Sequence, residues 1–97
     1  MQIDGLNITS VKILEDKDGW YVRVIGWLPT PCYSVTWKLD SKQDTDYRIL
    51  IQTGNKIENM CIQIIKEANL DISLPKKSAG LHNVYLNDQL VGTITSK

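Results

Sequence analysis

Ninety-seven residues suffice for one domain with a small core, so residues 1–97 are read as a single unit. Eleven Lys+Arg balance eleven Asp+Glu, which argues against a nucleic-acid protein or a polybasic membrane-surface protein working through bulk positive charge. The composition, 42% hydrophobic and 23% charged, is that of a folded globular chain, and it contains no apolar run long enough to cross a bilayer as a helix.

Met1-Gln2-Ile3-Asp4-Gly5 has neither the basic n-region nor the apolar h-region of a leader. A cytosolic start and the mature part of an exported chain, with its leader upstream, both fit. Further along, apolar residues recur mostly at every second position, the strand period. Val11 and Ile13 alternate with Ser10 and Lys12, and 15–19 reads as a turn on the strength of Asp18-Gly19. Residues 20–28 form the clearest strand. Trp20, Val22, Val24 and Leu28 share one face; Tyr21, Arg23, Ile25 and Trp27 share the other, which Arg23 marks as the wetter. Pro29-Thr30-Pro31 stops it, since proline cannot donate to a ladder.

Tyr33, Val35, Trp37 and Leu39 alternate with Ser34, Thr36 and Lys38, and 40–46 is a polar loop. Tyr47, Ile49 and Ile51 then alternate with Arg48, Leu50 and Gln52 up to Gly54-Asn55. Residues 57–66 fit two periods. Ile57, Met60, Cys61, Ile64 and Ile65 fall at helical spacing, while Met60, Ile62 and Ile64 alternate as in a strand. Leu70, Ile72 and Leu74 mark a strand and 75–80 a connection. Val84 and Leu86 mark another strand, and Asn87-Asp88-Gln89 is a tight turn into 90–94.

About seven strands with regular turn signals predict an all-β antiparallel sandwich. The expected core is Val11, Ile13, Val22, Val24, Leu28, Val35, Trp37, Ile49, Ile51, Ile72, Leu74, Val84 and Leu86. Cys32 and Cys61 have no second Cys or His near them, which speaks against zinc. A disulfide, implying an oxidising compartment, is their simplest use; two separate buried thiols are the alternative.

Gly26-Trp27-Leu28-Pro29-Thr30-Pro31-Cys32 resembles a G-x-L-P-x-x-C pattern. Cys61-Ile62-Gln63 followed by 70–74 resembles C-x-Q and a short strand. Residues 79–88, Ala-Gly-Leu-His-Asn-Val-Tyr-Leu-Asn-Asp, are similar to A-G-x-Y-x-V-x-V-N-G. Together they resemble a family of small bacterial secreted or lipoprotein domains with an immunoglobulin-like fold, largely of unknown function. The resemblance implies an immunoglobulin-like antiparallel sandwich, a Cys32–Cys61 disulfide, an extracytoplasmic location (secreted or lipid-anchored) and extended chain around Cys61. It implies no catalytic activity and brings no known ligand. His82 stands where the family has tyrosine and Asp88 where it has glycine, so His82 would have to replace the hydrogen bond of a tyrosine corner.

The residues themselves suggest little chemistry. His82 is the sole histidine, with no nucleophile or orienting partner evident. Asp16, Asp18, Asp40, Asp44 and Asp46 lack the calcium-loop pattern and read as turn and loop residues, with Asp44-Thr45-Asp46 a weak cation candidate. Asn7-Ile8-Thr9 matches the glycosylation pattern and is read as chance. Lys66, Lys76 and Lys77 read as solvated charges. We therefore expect a non-enzymatic module with no cofactor and no metal. It would bind another protein or a cell-envelope component through Trp27, Pro29, Thr30 and Pro31, with Tyr21 and Arg23 on the strand face of Trp27; packing of Trp27 under the 29–31 loop is the competing use of that side chain. The alternative is a peptidase inhibitor presenting its loops to a protease.

Overall fold

The computed structural model describes residues 2–3, 5–30, 32–40, 45–55, 64–76 and 78–96. They form eight strands: β1 (Gln2–Ile3), β2 (Leu6–Asp16), β3 (Gly19–Leu28), β4 (Tyr33–Asp40), β5 (Asp46–Asn55), β6 (Lys66–Ser73), β7 (Gly80–Leu86) and β8 (Gln89–Ser96). Two four-stranded sheets result, ordered β1-β2-β3-β6 (sheet A) and β4-β5-β7-β8 (sheet B), and one apolar cluster draws on both. The expected β-sandwich is present. The strand beyond the expected seven is the two-residue β1, too short for alternation to reveal.

Local chemistry sets the turns. Asp16 pairs with Gly19 across a two-residue loop, and the Asp18 amide donates to Asp16 Oδ1 at 2.9 Å. At the β7–β8 hairpin Asn87 and Asp88 both take left-handed backbone, φ 48° and 66°, as a two-residue primed turn requires. One pairing is parallel: β5 runs alongside β7, with Tyr47 opposite Val84 and Ile49 opposite Leu86. Between them the chain leaves for β6 in sheet A and returns, the crossover a parallel pair needs.

The buried apolar residues are Leu6, Ile8, Val22, Val24, Leu28, Tyr47, Ile49, Ile51, Ile72, Leu74, Val84, Leu86 and Ile94. Val11, Ile13 and Val35, expected in the core, are partly buried and pack against it. Trp37 corrects the expectation outright: it remains 41% exposed. It sits on β4, a border strand of sheet B, where the face directed inward is only partly covered. At the opposite border, the Trp20 indole of β3 donates to the Thr95 carbonyl of β8 at 3.2 Å, joining the sheets. Most of the helix-or-strand alternative at 57–66 lies outside the described residues; Ile64 and Ile65 are irregular and exposed, and Lys66 opens β6.

Candidate functional site

The central strand β3 lies between β2 and β6, so each outward residue is the middle of a cross-strand row. The rows are Leu14–Tyr21–Ser73, Lys12–Arg23–Asp71, Ser10–Ile25–Asn69 and Asn7–Trp27–Glu67. Tyr21, Arg23, Ile25 and Trp27 are all half-buried by these neighbours. The outer face of a two-layer sandwich ordinarily alternates to polar residues; here three of the four central positions are aromatic or aliphatic.

The expected residues separate into two ends. Tyr21 and Trp27 are six positions apart, about 20 Å along a strand. At the first end, Arg23 Nε donates to Asp71 Oδ1 at 2.9 Å, and the guanidinium carbon lies 5.5 Å from the Tyr21 ring centre. The Arg23 hydrogen bond, with its charge, holds the Asp71 carboxyl below the usual aspartate range and raises Arg23 in turn. This pair satisfies its own charge and borders a shallow groove of ≈ 260 Å³ with Tyr21 and Ser73.

At the second end, Ile25, Trp27, Ile65, Glu67, Asn69 and Thr9 line an open groove of ≈ 550 Å³. Ile65 is 67% exposed beside the indole. Pro29 is half-buried, and Thr30 is buried with its hydroxyl accepting the Cys32 amide at 3.3 Å. Pro31 lies outside the described residues. Trp27 and Pro29 are thus neighbours at one end of β3, while Thr30 faces inward as a loop brace. Sequence reasoning missed Ile65, Glu67, Asn69 and Thr9, because nothing local says that β6 pairs with β3. The signal for Thr9 was the break in alternation between Ile8 and Val11, where a register shift falls.

Cys32 is half-buried just ahead of β4, and no free cysteine occurs among the described residues. The expected partner, Cys61, lies outside them. Asp44 lies outside them as well, and Asp46 approaches Arg48 Nη2 at 3.5 Å. Among the described residues no group of three or more His, Cys, Asp or Glu is placed to hold a metal.

His82 is buried on β7, its Nε2 2.6 Å from the Ser78 carbonyl four residues upstream. A carbonyl only accepts, so Nε2 carries the proton. This is the backbone bond expected of a tyrosine-corner substitute. Nδ1 is buried and has no hydrogen-bond partner among the described residues, and the ring packs edge-to-face on Tyr47 with centres 5.8 Å apart. The Tyr47 hydroxyl donates to the Pro75 carbonyl, so both side chains tie the 75–78 segment to sheet B.

These features define a β-sandwich module with an aromatic outer strand face. A family profile, the ORF11 beta-sandwich domain, matches residues 22–96. The chain belongs to that family, whose match runs from the middle of β3 to the end of β8. No curated protein and no solved structure matches it.

Proposed function

We propose that this protein is a non-enzymatic, extracytoplasmic binding module, secreted or lipid-anchored, that engages a protein partner of the cell envelope through the Trp27 end of sheet A. The observation that carries the reading is the apolar row Ile25, Trp27 and Ile65 around an open groove, on a sheet face that should otherwise be polar. A half-buried indole of this kind makes a good anchor, because aromatic side chains bury large area at small entropic cost. Asn69, Glu67 and Thr9 supply a polar rim. Exposed Ile65 is better matched to an apolar protein surface than to a sugar. The extracytoplasmic part of the reading is supported by the two cysteines and the resemblance they belong to, with Cys32 placed next to the Trp27–Pro29 end.

Site-specific photo-crosslinking in intact cells tests the proposal. A photoreactive residue at position 27 should form one defined adduct with a protein. The same residue at position 36, on the outer face of sheet B, should form none. Equal adducts at both positions, or none at 27, contradict the assignment.

A further inference from the structure

The two arginines of the chain, Arg23 and Arg48, are held in the same way, each guanidinium near an aromatic ring with a carboxylate beside it. Arg23 lies 5.5 Å from the Tyr21 ring centre and sets two nitrogens against the Asp71 carboxylate, at 2.9 and 3.4 Å. Arg48 lies 4.4 Å from the ring centre of Tyr85, its cross-strand neighbour, with Asp46 at 3.5 Å and Asp88 at 3.6 Å. A guanidinium suits such a seat, because its flat face stacks on a ring while its edge donates to a carboxylate.

The Trp27 end of sheet A has the ring and the carboxylate without the cation. Glu67 stands directly opposite Trp27 in the β3–β6 ladder, and both line the same open groove. Directly opposed residues have Cβ atoms about 5 Å apart on one face, so one guanidinium can reach both side chains. Among the described residues, Glu67 is the one charge lining this groove, and it is exposed and makes no ion pair. Two positions from Tyr21 stands Arg23; two positions from Trp27 stands Ile25, which brings no charge. Lys66 is next to Glu67 but alternates to the other side of β6, opposite buried Leu28.

We propose that the Trp27 groove takes an arginine side chain of its protein partner, the guanidinium stacked on the indole and paired with Glu67, with apolar neighbours of that arginine against Ile25 and Ile65. The inference rests on the Trp27 reading and adds the chemistry of the residue that fills the site. Charge and shape select this occupant together. A neutral side chain would cover the indole while taking water from Glu67 without offsetting its charge, and a carboxylate would be repelled. Lysine meets the charge as a point and lacks the planar fork that stacks and donates at once. A second copy of this chain does not supply the arginine, since Arg23 and Arg48 are each engaged on a tyrosine and a carboxylate of their own chain. Tryptophan and arginine are also the residue types in which interfaces concentrate their binding energy.

Two capped pentapeptides test it: Gly-Leu-Arg-Leu-Gly, and the same peptide with citrulline, the uncharged isostere, in place of arginine. Each is titrated into the intact protein while the Trp27 indole signal is followed by proton–nitrogen NMR. The arginine peptide should bind about tenfold tighter, the size of one exposed cation–π contact together with one exposed ion pair. Salt should erode that preference, because the pair is screened. Glu67→Gln should remove most of it, while Glu15→Gln, at the far end of β2, leaves it intact. Equal binding of the two peptides, or a preference that survives Glu67→Gln, overturns the inference. If both peptides move the Trp27 signal equally, the Trp27 site stands and the arginine assignment alone falls. If neither moves it, the arginine assignment falls, and the adduct at position 27 decides separately whether the site does.

Discussion

At the scale of single residues, three positions carry more than their side chains advertise. Gly26 pairs with Ile8 beside the β2 register shift, and a Cβ there would meet the Asn7 main-chain carbonyl. Backbone cannot swing aside as a side-chain tip can, so Gly26→Ala is predicted to destabilise by about 3 kcal/mol, the upper end of ordinary overpacking costs. That corresponds to a fall of on the order of 15 °C in the melting temperature of a chain this size, readable by calorimetry. Asn87 does the work of a strand residue from within a turn. Its side-chain oxygen accepts the Ile51 amide at 2.8 Å, its side-chain nitrogen donates to the Ile51 carbonyl at 3.1 Å, and its own amide donates to the Ile49 carbonyl at 2.9 Å. Asn87→Ala strands both groups of a buried residue and should cost about 1–3 kcal/mol in chemical denaturation. Its neighbour Asp88 should respond with the opposite sign. Asp88→Gly removes left-handed strain of about 1 kcal/mol. It forfeits only a 3.6 Å pair with Arg48, and the Asp88 side chain is 94% exposed, where such pairs contribute little.

At the scale of strands, the ion pair between β3 and β6 sets a pH dependence. Arg23 holds Asp71 below the ordinary aspartate value, chiefly through its hydrogen bond. A carboxyl lowered in the folded state stabilises fully above its unfolded pKa of about 3.9 and loses that contribution as pH falls through the lowered value. A carbon-detected NMR titration should therefore give Asp71 a midpoint below the other aspartates, and Arg23→Gln should return it to the usual range. The same strands show what could be read from sequence. Val22, Val24, Ile49, Ile51, Ile72, Val84 and Leu86 were legible because alternation persists along their strands, and the core faces inward on each. Leu6 and Ile8 escaped because the phase resets between Ile8 and Val11 at the register shift. Tyr47 was placed on an apolar face but not in the core; its burial depends on the hydroxyl finding Pro75, a contact no local pattern announces. Trp37 fails for the converse reason. Period gives the face of a strand, not how far the opposing sheet extends over it, and β4 lies at a border. At the candidate site, the aromatic row of β3 was readable in order, but its grooves were not, since they are completed by β6 and Ile65 from far along the chain.

At the scale of the molecule, two sheets share one core, and the chain passes between them repeatedly: from β3 to β4, from β5 to β6 and from β6 to β7. The tight turns at 17–18 and 87–88 close hairpins within a sheet, whereas these passages must be held by other means. His82 and Tyr47 hold the third, through the Ser78 and Pro75 carbonyls. Cys32 stands in the first and Cys61 in the second, so the proposed disulfide would tie two passages together at the Trp27 end of sheet A. Closing a loop of about 30 residues this way stabilises a fold by roughly 3–4 kcal/mol, a substantial part of a small domain's total. Such a bridge would also link the architecture to the proposed location, because a bond of this kind persists in oxidising surroundings. Intact mass spectrometry of the unreduced protein, alkylated after denaturation, tests this union of export, bridge and rigid binding end. The bridged chain should show no alkylation and a mass lower by two hydrogens than the reduced chain, with two alkyl groups taken up only after reduction. Alkylation of both cysteines without reduction would contradict it.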